Sequence, residues 1–250
     1  MEFNSAFATD IGRRRAQNQD NGASHPEMGL FIVADGMGGH RGGETASSLA
    51  VETITTVVTE KLKGRRKADS DQNARAILVE AIETANLRIH HTAARDPQLQ
   101  GMGTTTTAML FSPGKLLIGH VGDSRCYKLV PGAIWQLTRD HSLVQEKLRA
   151  GLISREQLKT DRLKNVITRS VGFEPHLNVE TYDVDVKSGD TFLVCSDGLS
   201  SLVDDEHIIQ AAQESLFEKK DLDAAARRLI DVANESGGDD NITVVIVQIK

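Results

Sequence analysis

Apolar residues along the chain follow two periods. Short runs bounded by Gly, Pro or Asp read as strands: 30–34, 104–111, 115–121, 125–130, 133–137, 178–186, 191–196 and 242–249. Residues 1–9 alternate weakly and read as a first strand, and 13–21 as a polar connection. From Glu44 the period becomes helical, with Ala46, Leu49, Ala50, Thr53, Ile54, Val57 and Val58 on one face. A second helix presents Ala74, Ile77, Leu78, Ala81, Ile82, Ala85 and Ile89, and two more are expected over 204–216 and 222–235. Residues 63–70 read as a polar loop, and 142–164 as a polar insert with two short helical patterns. Ser112-Pro113-Gly114, Gly122-Asp123-Ser124 and Pro131-Gly132 are too short for parallel crossovers. The strands between 104 and 137 are therefore expected to pair as an antiparallel meander. Paired long helices with antiparallel strands imply a layered α+β fold, not a doubly wound parallel sheet.

At 250 residues the chain suits one hydrophobic core. A net charge of −6 argues against nucleic acid or an anionic membrane as the main partner. The basic clusters Arg13-Arg14-Arg15 and Lys63-Gly64-Arg65-Arg66-Lys67 are short, and the second reads as a solvated loop. No run is long enough for a transmembrane helix, and the N-terminus lacks a signal-peptide apolar region. Cys126 and Cys195 lie in strand-like runs and read as reduced core thiols, so a cytoplasmic protein is expected. Neither opens the Cys-x5-Arg spacing of a cysteine phosphatase, because Gly132 and Ser201 stand where the Arg would be. His90-His91 is an unsuitable metal pair, since adjacent helix positions point apart.

The candidate chemistry sits where apolar runs end. Residues 30–34 lead into Asp35-Gly36-Met37-Gly38-Gly39-His40, and Phe192-Leu193-Val194-Cys195-Ser196 leads into Asp197-Gly198. Near the C-terminus the order reverses, with Gly237-Gly238-Asp239-Asp240-Asn241 opening the last strand. One Asp-Gly pair is ordinary turn chemistry. Three carboxylates at strand ends, far apart in sequence, suit a hard cation such as Mg²⁺ or Mn²⁺.

Further stretches accompany them: Arg15-Ala16-Gln17-Asn18-Gln19-Asp20, Gly42-Gly43-Glu44-Thr45-Ala46-Ser47, Gly101-Met102-Gly103-Thr104-Thr105, Val121-Gly122-Asp123-Ser124-Arg125, Thr138-Arg139-Asp140-His141-Ser142 and Ile167-Thr168-Arg169-Ser170-Val171-Gly172. In this order, with Asp35, Asp197 and Asp240, the chain resembles the metal-dependent type 2C (PPM) protein phosphatases along nearly its whole length. The bacterial branch is the nearer match, having DGMGGH where animal members have DGHGG. The resemblance implies a single catalytic domain over 1–250, built as a four-layer α-β-β-α sandwich of two antiparallel sheets flanked by helix pairs. It implies hydrolysis of phosphoserine and phosphothreonine in proteins by a metal-activated water, opposing a bacterial Ser/Thr kinase. Phosphoproteins, including such a kinase or its substrates, are the implied partners, and a monomer is expected. Two tightly bound Mn²⁺ or Mg²⁺ ions and a weaker third are implied. Carried over by motif, Asp35 would bridge two ions, the Gly36 carbonyl would bind one, and Asp197 and Asp240 would complete the other. Asp20 would act through water, Asp123 with Asp197 would hold the third ion, Arg15 would grip the phosphate, and 142–164 would be a mobile flap beside the site.

Two departures stand out. Gln19 replaces a frequent Glu, and the lost charge is expected to weaken metal affinity slightly. Met37 stands where animal enzymes have a His proposed as general acid, and Met has no proton to give. Either His40 or a metal-bound water is then the candidate donor at the substrate, or the leaving group departs unaided; His40 reads equally as a loop residue with structural hydrogen bonds. Two rivals remain to be weighed. Asp183-Val184-Asp185-Val186 echoes haloacid-dehalogenase-like phosphatases, whose first Asp is a covalent nucleophile, but its alternation fits a half-solvated strand with no crossover helix after it. A phosphopeptide-binding pseudophosphatase could dispense with Asp35, Asp197 or Asp240, and all three are present.

Overall fold

The computed structural model describes residues 1–63, 71–158 and 161–250, with the side chains of His40, Asp71, Gln72 and Arg155 outside that description. The expected loop at 63–70, apart from Lys63, and the side chain of His40 therefore lie outside the described residues. In chain order, β1 (Phe3–Asp10), β2 (Asp20–His25) and β3 (Leu30–Met37) lead into α1 (Gly39–Leu62) and α2 (Asp71–Arg95). Next come β4 (Gly103–Thr104), β5 (Thr106–Ser112), β6 (Lys115–Val121), β7 (Arg125–Val130) and β8 (Ala133–Gln136). The segment with α3 (Leu143–Arg149) and α4 (Arg155–Leu158) follows, then β9 (Glu180–Asp185) and β10 (Thr191–Cys195). The chain closes with α5 (Asp197–Ser200), α6 (Asp205–Gln213), α7 (Leu222–Glu235) and β11 (Ile242–Ile249).

The strands form two antiparallel sheets, ordered β1-β11-β10-β7-β8 and β2-β3-β5-β6-β9, with β4 alongside β3. Helices cover both outer faces, which explains why the central strands read as unbroken apolar runs. On β3, Leu30, Ile32 and Ala34 pack against α1 and α2, while Phe31 and Val33 point between the sheets against Phe192, Val194, Val245 and Val247. On the far side, Leu193, Cys195, Val244 and Ile246 pack against the apolar faces of α6 and α7. Cys126 and Cys195 are both buried, and burial pushes the Cys195 thiol up to about 12, so both stay protonated core residues.

Three sequence expectations need correction. The strands of 104–137 are not one meander: β5 and β6 pair in one sheet, and β7 and β8 pair in the other. Gly122-Asp123-Ser124 carries the chain across the sandwich from one sheet to the next, and Lys187-Ser188-Gly189-Asp190 does the same between β9 and β10. A short connection excludes a parallel crossover, but it does not decide between a hairpin and a step between layers. The connection expected over 13–21 gives way at its end to a strand, β2, which begins at Asp20, opposite Asp35, and runs to His25. Finally, α1 starts at Gly39, ahead of Glu44. Its glycines allow helix and strand backbones to touch: a Cβ on Gly36 would meet the Gly43 carbonyl oxygen at 2.1 Å.

Candidate metal centre

Five carboxylates gather at one end of the sandwich. Asp20 and Asp35 are paired across β2 and β3, and Asp123 lies in the step from β6 to β7. Asp197 opens α5, and Asp240 lies just before β11. Several hydroxyls fix this end. Thr105 Oγ1 accepts the Asp35 N–H at 3.0 Å and pairs with Ser124 Oγ at 2.7 Å, tying the Asp35 strand to the Asp123 turn. Ser196 Oγ donates to Asp20 Oδ2 at 2.7 Å and accepts the Thr243 N–H at 2.9 Å, tying Asp20 to the two strands that flank Asp197 and Asp240.

The charges have no adequate compensation from the protein. Among the described residues, Oδ1 of Asp20, Asp123 and Asp197 are buried without a hydrogen-bond partner. Burial, followed by its acidic neighbours Asp20, Asp197, Asp123 and Asp240, holds the Asp35 carboxyl well above the usual carboxylate range. Burial also raises Asp20, Asp123 and Asp197, and each has further carboxylates beside it. Carboxyls crowded together out of water favour sharing protons or cations. Such a donor set fits divalent cations. Among the described residues no three His, Cys, Asp or Glu side chains close around one ion position. An ion here would take much of its shell from water and from backbone oxygen, as Mg²⁺ and Mn²⁺ readily do.

Arg15 reaches this cluster and donates from Nη2 to Asp240 Oδ2 at 2.6 Å, with its side chain half exposed. Asn241 holds the Arg15 loop in place. Its Nδ2 donates to the carbonyls of Ile11 and Gln17 at 2.9 Å, and its Oδ1 accepts the Gln19 N–H at 2.8 Å. Gln19 donates from Nε2 to the Gly39 carbonyl at 3.1 Å, a bond that Glu could not make. The expected site residues Arg15, Asp20, Asp35, Gly36, Asp123, Asp197 and Asp240 thus come together. Sequence reasoning missed Thr105, Ser196 and Asn241 as supports; the only signal was their place beside Thr104, Asp197 and Asp240.

A cavity of about 680 Å³ opens from Asp123 and Asp197 toward the 142–165 segment, lined also by Ser142, Val144, Leu158 and Lys164. The rival Asp183 and Asp185 lie on an outer strand and pair with Arg75 and Lys115, a surface ion-pair role. His90 and His91 lie on α2, with ring centroids 6.2 Å apart.

The sequence model of the family described as Protein phosphatase 2C matches residues 12–244. The chain is 38% identical over 249 residues to the serine/threonine phosphatase stp of Listeria innocua serovar 6a, covering 98% of this chain and 96% of that protein. It is 35% identical over 247 residues to the serine/threonine protein phosphatase PstP of Mycobacterium tuberculosis, covering 98% of this chain and 44% of that longer protein. The crystal structure of the Mycobacterium tuberculosis phosphatase PstP/Ppp superposes with a TM-score of 0.89 at 33% identity, covering all of both chains. The PstP catalytic domain in complex with two manganese ions superposes with a TM-score of 0.84 at 32% identity, covering 99% of each chain.

Proposed function

This chain belongs to the protein phosphatase 2C family, and from that premise we propose how its own residues carry out metal-dependent hydrolysis of phosphoserine and phosphothreonine. The observation that carries the reading is the set of buried carboxylates with unpartnered oxygens at one end of the sandwich. Asp35, the Gly36 carbonyl, Asp197 and Asp240 would hold two Mn²⁺ or Mg²⁺ ions, with Asp20 steadying them and Asp123 joining Asp197 on a weaker third. When bound, the ions polarise phosphoryl oxygens and lower the pKa of coordinated water.

The protein's part is to hold these oxygens in place and to fix the substrate. Ser196 keeps Asp20 turned toward the cluster, and Thr105 and Ser124 keep Asp35 and Asp123 in fixed relation. Arg15 is the phosphate clamp. A guanidinium has five N–H donors, so anchoring through Nη2 to Asp240 leaves others to meet phosphate oxygens. His40 is the second residue of α1, and is the candidate proton donor to the leaving alkoxide where Met37 has no proton to give. No Ser, Cys or Asp nucleophile is needed, so no phosphoenzyme forms.

The 1–250 chain serves as one catalytic domain, with 142–164 as a flap over the cavity beside Asp123 and Asp197. Its partners are phosphoproteins, including a Ser/Thr kinase or that kinase's substrates, and it acts as a cytoplasmic monomer. Among the described residues no helix is long and apolar enough to cross a membrane. The test is turnover of p-nitrophenyl phosphate and a phosphothreonine peptide with Mn²⁺, with and without chelator. Turnover that is lost with chelator and restored by Mn²⁺ is expected. Full turnover in chelator, or a trapped phospho-aspartate, overturns the reading.

A further inference from the structure

Asp123 sits on a turn that one histidine holds from two sides. The Gly122 N–H donates to His141 Nδ1 at 3.1 Å, and the His141 N–H donates to the Gly122 carbonyl at 2.8 Å. His141 Nδ1 accepts a backbone N–H, so in the neutral ring the proton is on Nε2. That Nε2–H donates to Glu180 Oε2 on β9 at 2.7 Å. Burial and the nearby Arg169 and Arg149 hold His141 below its ordinary range against the Glu180 bond. The side chain is 2% exposed. The turn itself has no slack. Gly122 adopts φ 108°, and a Cβ there would meet Thr105 at 2.6 Å.

The same residue is the root of the 142–164 segment. Ser142 bridges to Ile167, the Leu143 N–H donates to the Val166 carbonyl at 2.8 Å, and the Thr168 N–H donates to the His141 carbonyl at 2.8 Å. His141 therefore joins three things: the Asp123 turn, the base of the proposed flap, and the edge strand through Glu180.

We infer that His141 is the positioning residue for Asp123, its Nδ1 and backbone N–H together fixing the Gly122 peptide so that the Asp123 carboxylate faces Asp197. The inference rests on the proposed third-ion role of Asp123. Glu180 acts behind His141 by keeping its proton on Nε2, so Nδ1 remains an acceptor. His141 touches neither substrate nor ion in this assignment.

Asn and Gln separate the two ring nitrogens. Asn at 141 can place an acceptor near the Nδ1 position but is too short for Glu180. Gln can reach toward Glu180 but leaves Gly122 N–H without its acceptor. The experiment is calorimetric titration with Mn²⁺ of the whole chain, wild type and His141→Asn, His141→Gln, His141→Ala and Asp123→Asn, with thermal melts in parallel. The weakest binding step should weaken by about 10–100-fold in His141→Gln and His141→Ala, the usual range for removing a support behind a ligand, and stay within about threefold of wild type in His141→Asn. The tight steps should be unchanged in all. If His141→Ala proves unfolded, the Asn and Gln pair still decides. A weak step kept by His141→Gln, or lost equally in Asn and Gln, overturns the positioning role. A weak step kept by Asp123→Asn overturns the third-ion assignment itself, a result distinct from failure of the histidine.

Discussion

The chain steps between its two sheets twice by a short turn, and each step buries an aspartate. At one end of the sandwich Asp190 is 7% exposed; at the other, Asp123 is 9% exposed. Asp190 is fully provided for: Lys128 Nζ donates to its Oδ2 at 2.8 Å, and the Lys187 N–H reaches the same oxygen at 3.1 Å. Asp123 keeps an unpartnered Oδ1 and faces another carboxylate, Asp197. The same residue type in the same kind of turn is thus structural in one place and unfinished in the other. A buried charge is retained only when something compensates it. At Asp190 the protein supplies the cation; at Asp123 the compensation has to come from outside.

The largest expected effect comes at the centre of the unfinished cluster. Asp35→Asn should lower turnover by about three orders of magnitude, as for loss of a preorganised electrostatic element, while the metal-free protein melts at the same temperature or higher. The check is kcat with Mn²⁺ beside a melt in chelator. A folded Asp35→Asn protein with near-normal turnover would remove Asp35 from the proposed ion bridge.

Asp190→Ala should do the opposite. It leaves Lys128, with its side chain 23% exposed, without its carboxylate. Breaking such a pair costs about 3 kcal/mol, a fall in Tm of roughly 6–12 °C for a chain of this size. Mn²⁺ affinities should be unchanged. A melt unaffected by Asp190→Ala would mean the pairing at that turn is not what stabilises it.

Much of this contrast was legible in the sequence, though unevenly. The long helices, the apolar strands and Asp35, Asp197 and Asp240 were readable because both sheet faces are covered and the carboxylates end apolar runs. β2 was not, because Asp20-Asn21-Gly22-Ala23-Ser24-His25 has no apolar alternation. Backbone pairing to β3 and contacts such as Ser24 Oγ to Ser5 Oγ at 2.9 Å hold it. The step at Gly122–Ser124 was legible as a turn but not as a change of sheet, since what directs it is the distant pair His141 and Thr105. The start of α1 was hidden by glycines that ordinarily discourage a helix, and that serve here to let α1 touch β3.

A smaller effect tests Asp123 directly. Asp123→Asn should abolish the weakest Mn²⁺ step and keep the tight ones, with most phosphopeptide activity lost. Without metal it should gain on the order of 1 kcal/mol of stability, because a poorly compensated buried carboxyl becomes a neutral amide. Loss of a tight step would instead place Asp123 in the core pair.

The last contrast is in pH. Asp123 and Asp20 are raised by burial to about 8 and about 7, from 3.8. The native metal-free protein then binds more protons than the unfolded chain between these limits, so its stability falls as pH rises through that range. His120 works the other way. Burial and then His141 lower it from 6.5 to about 4, so its contribution is lost as pH falls between those values. The two trends oppose each other below pH 6.5, and only the carboxylates remain above it. Between pH 6.5 and 8 the metal-free melt should fall, at a slope on the order of 1 kcal/mol per pH unit for each carboxyl still protonated. Asp123→Asn should flatten the upper part of that slope, and Asp190→Asn should leave it unchanged. Saturating Mn²⁺ should remove or reverse it, because ion binding requires the ionised ligands and releases their protons. A metal-free melt that rises from pH 6.5 to 8, or one that Mn²⁺ does not alter, would show that the carboxylates at this end are already compensated by the protein and would erase the distinction between the two turns.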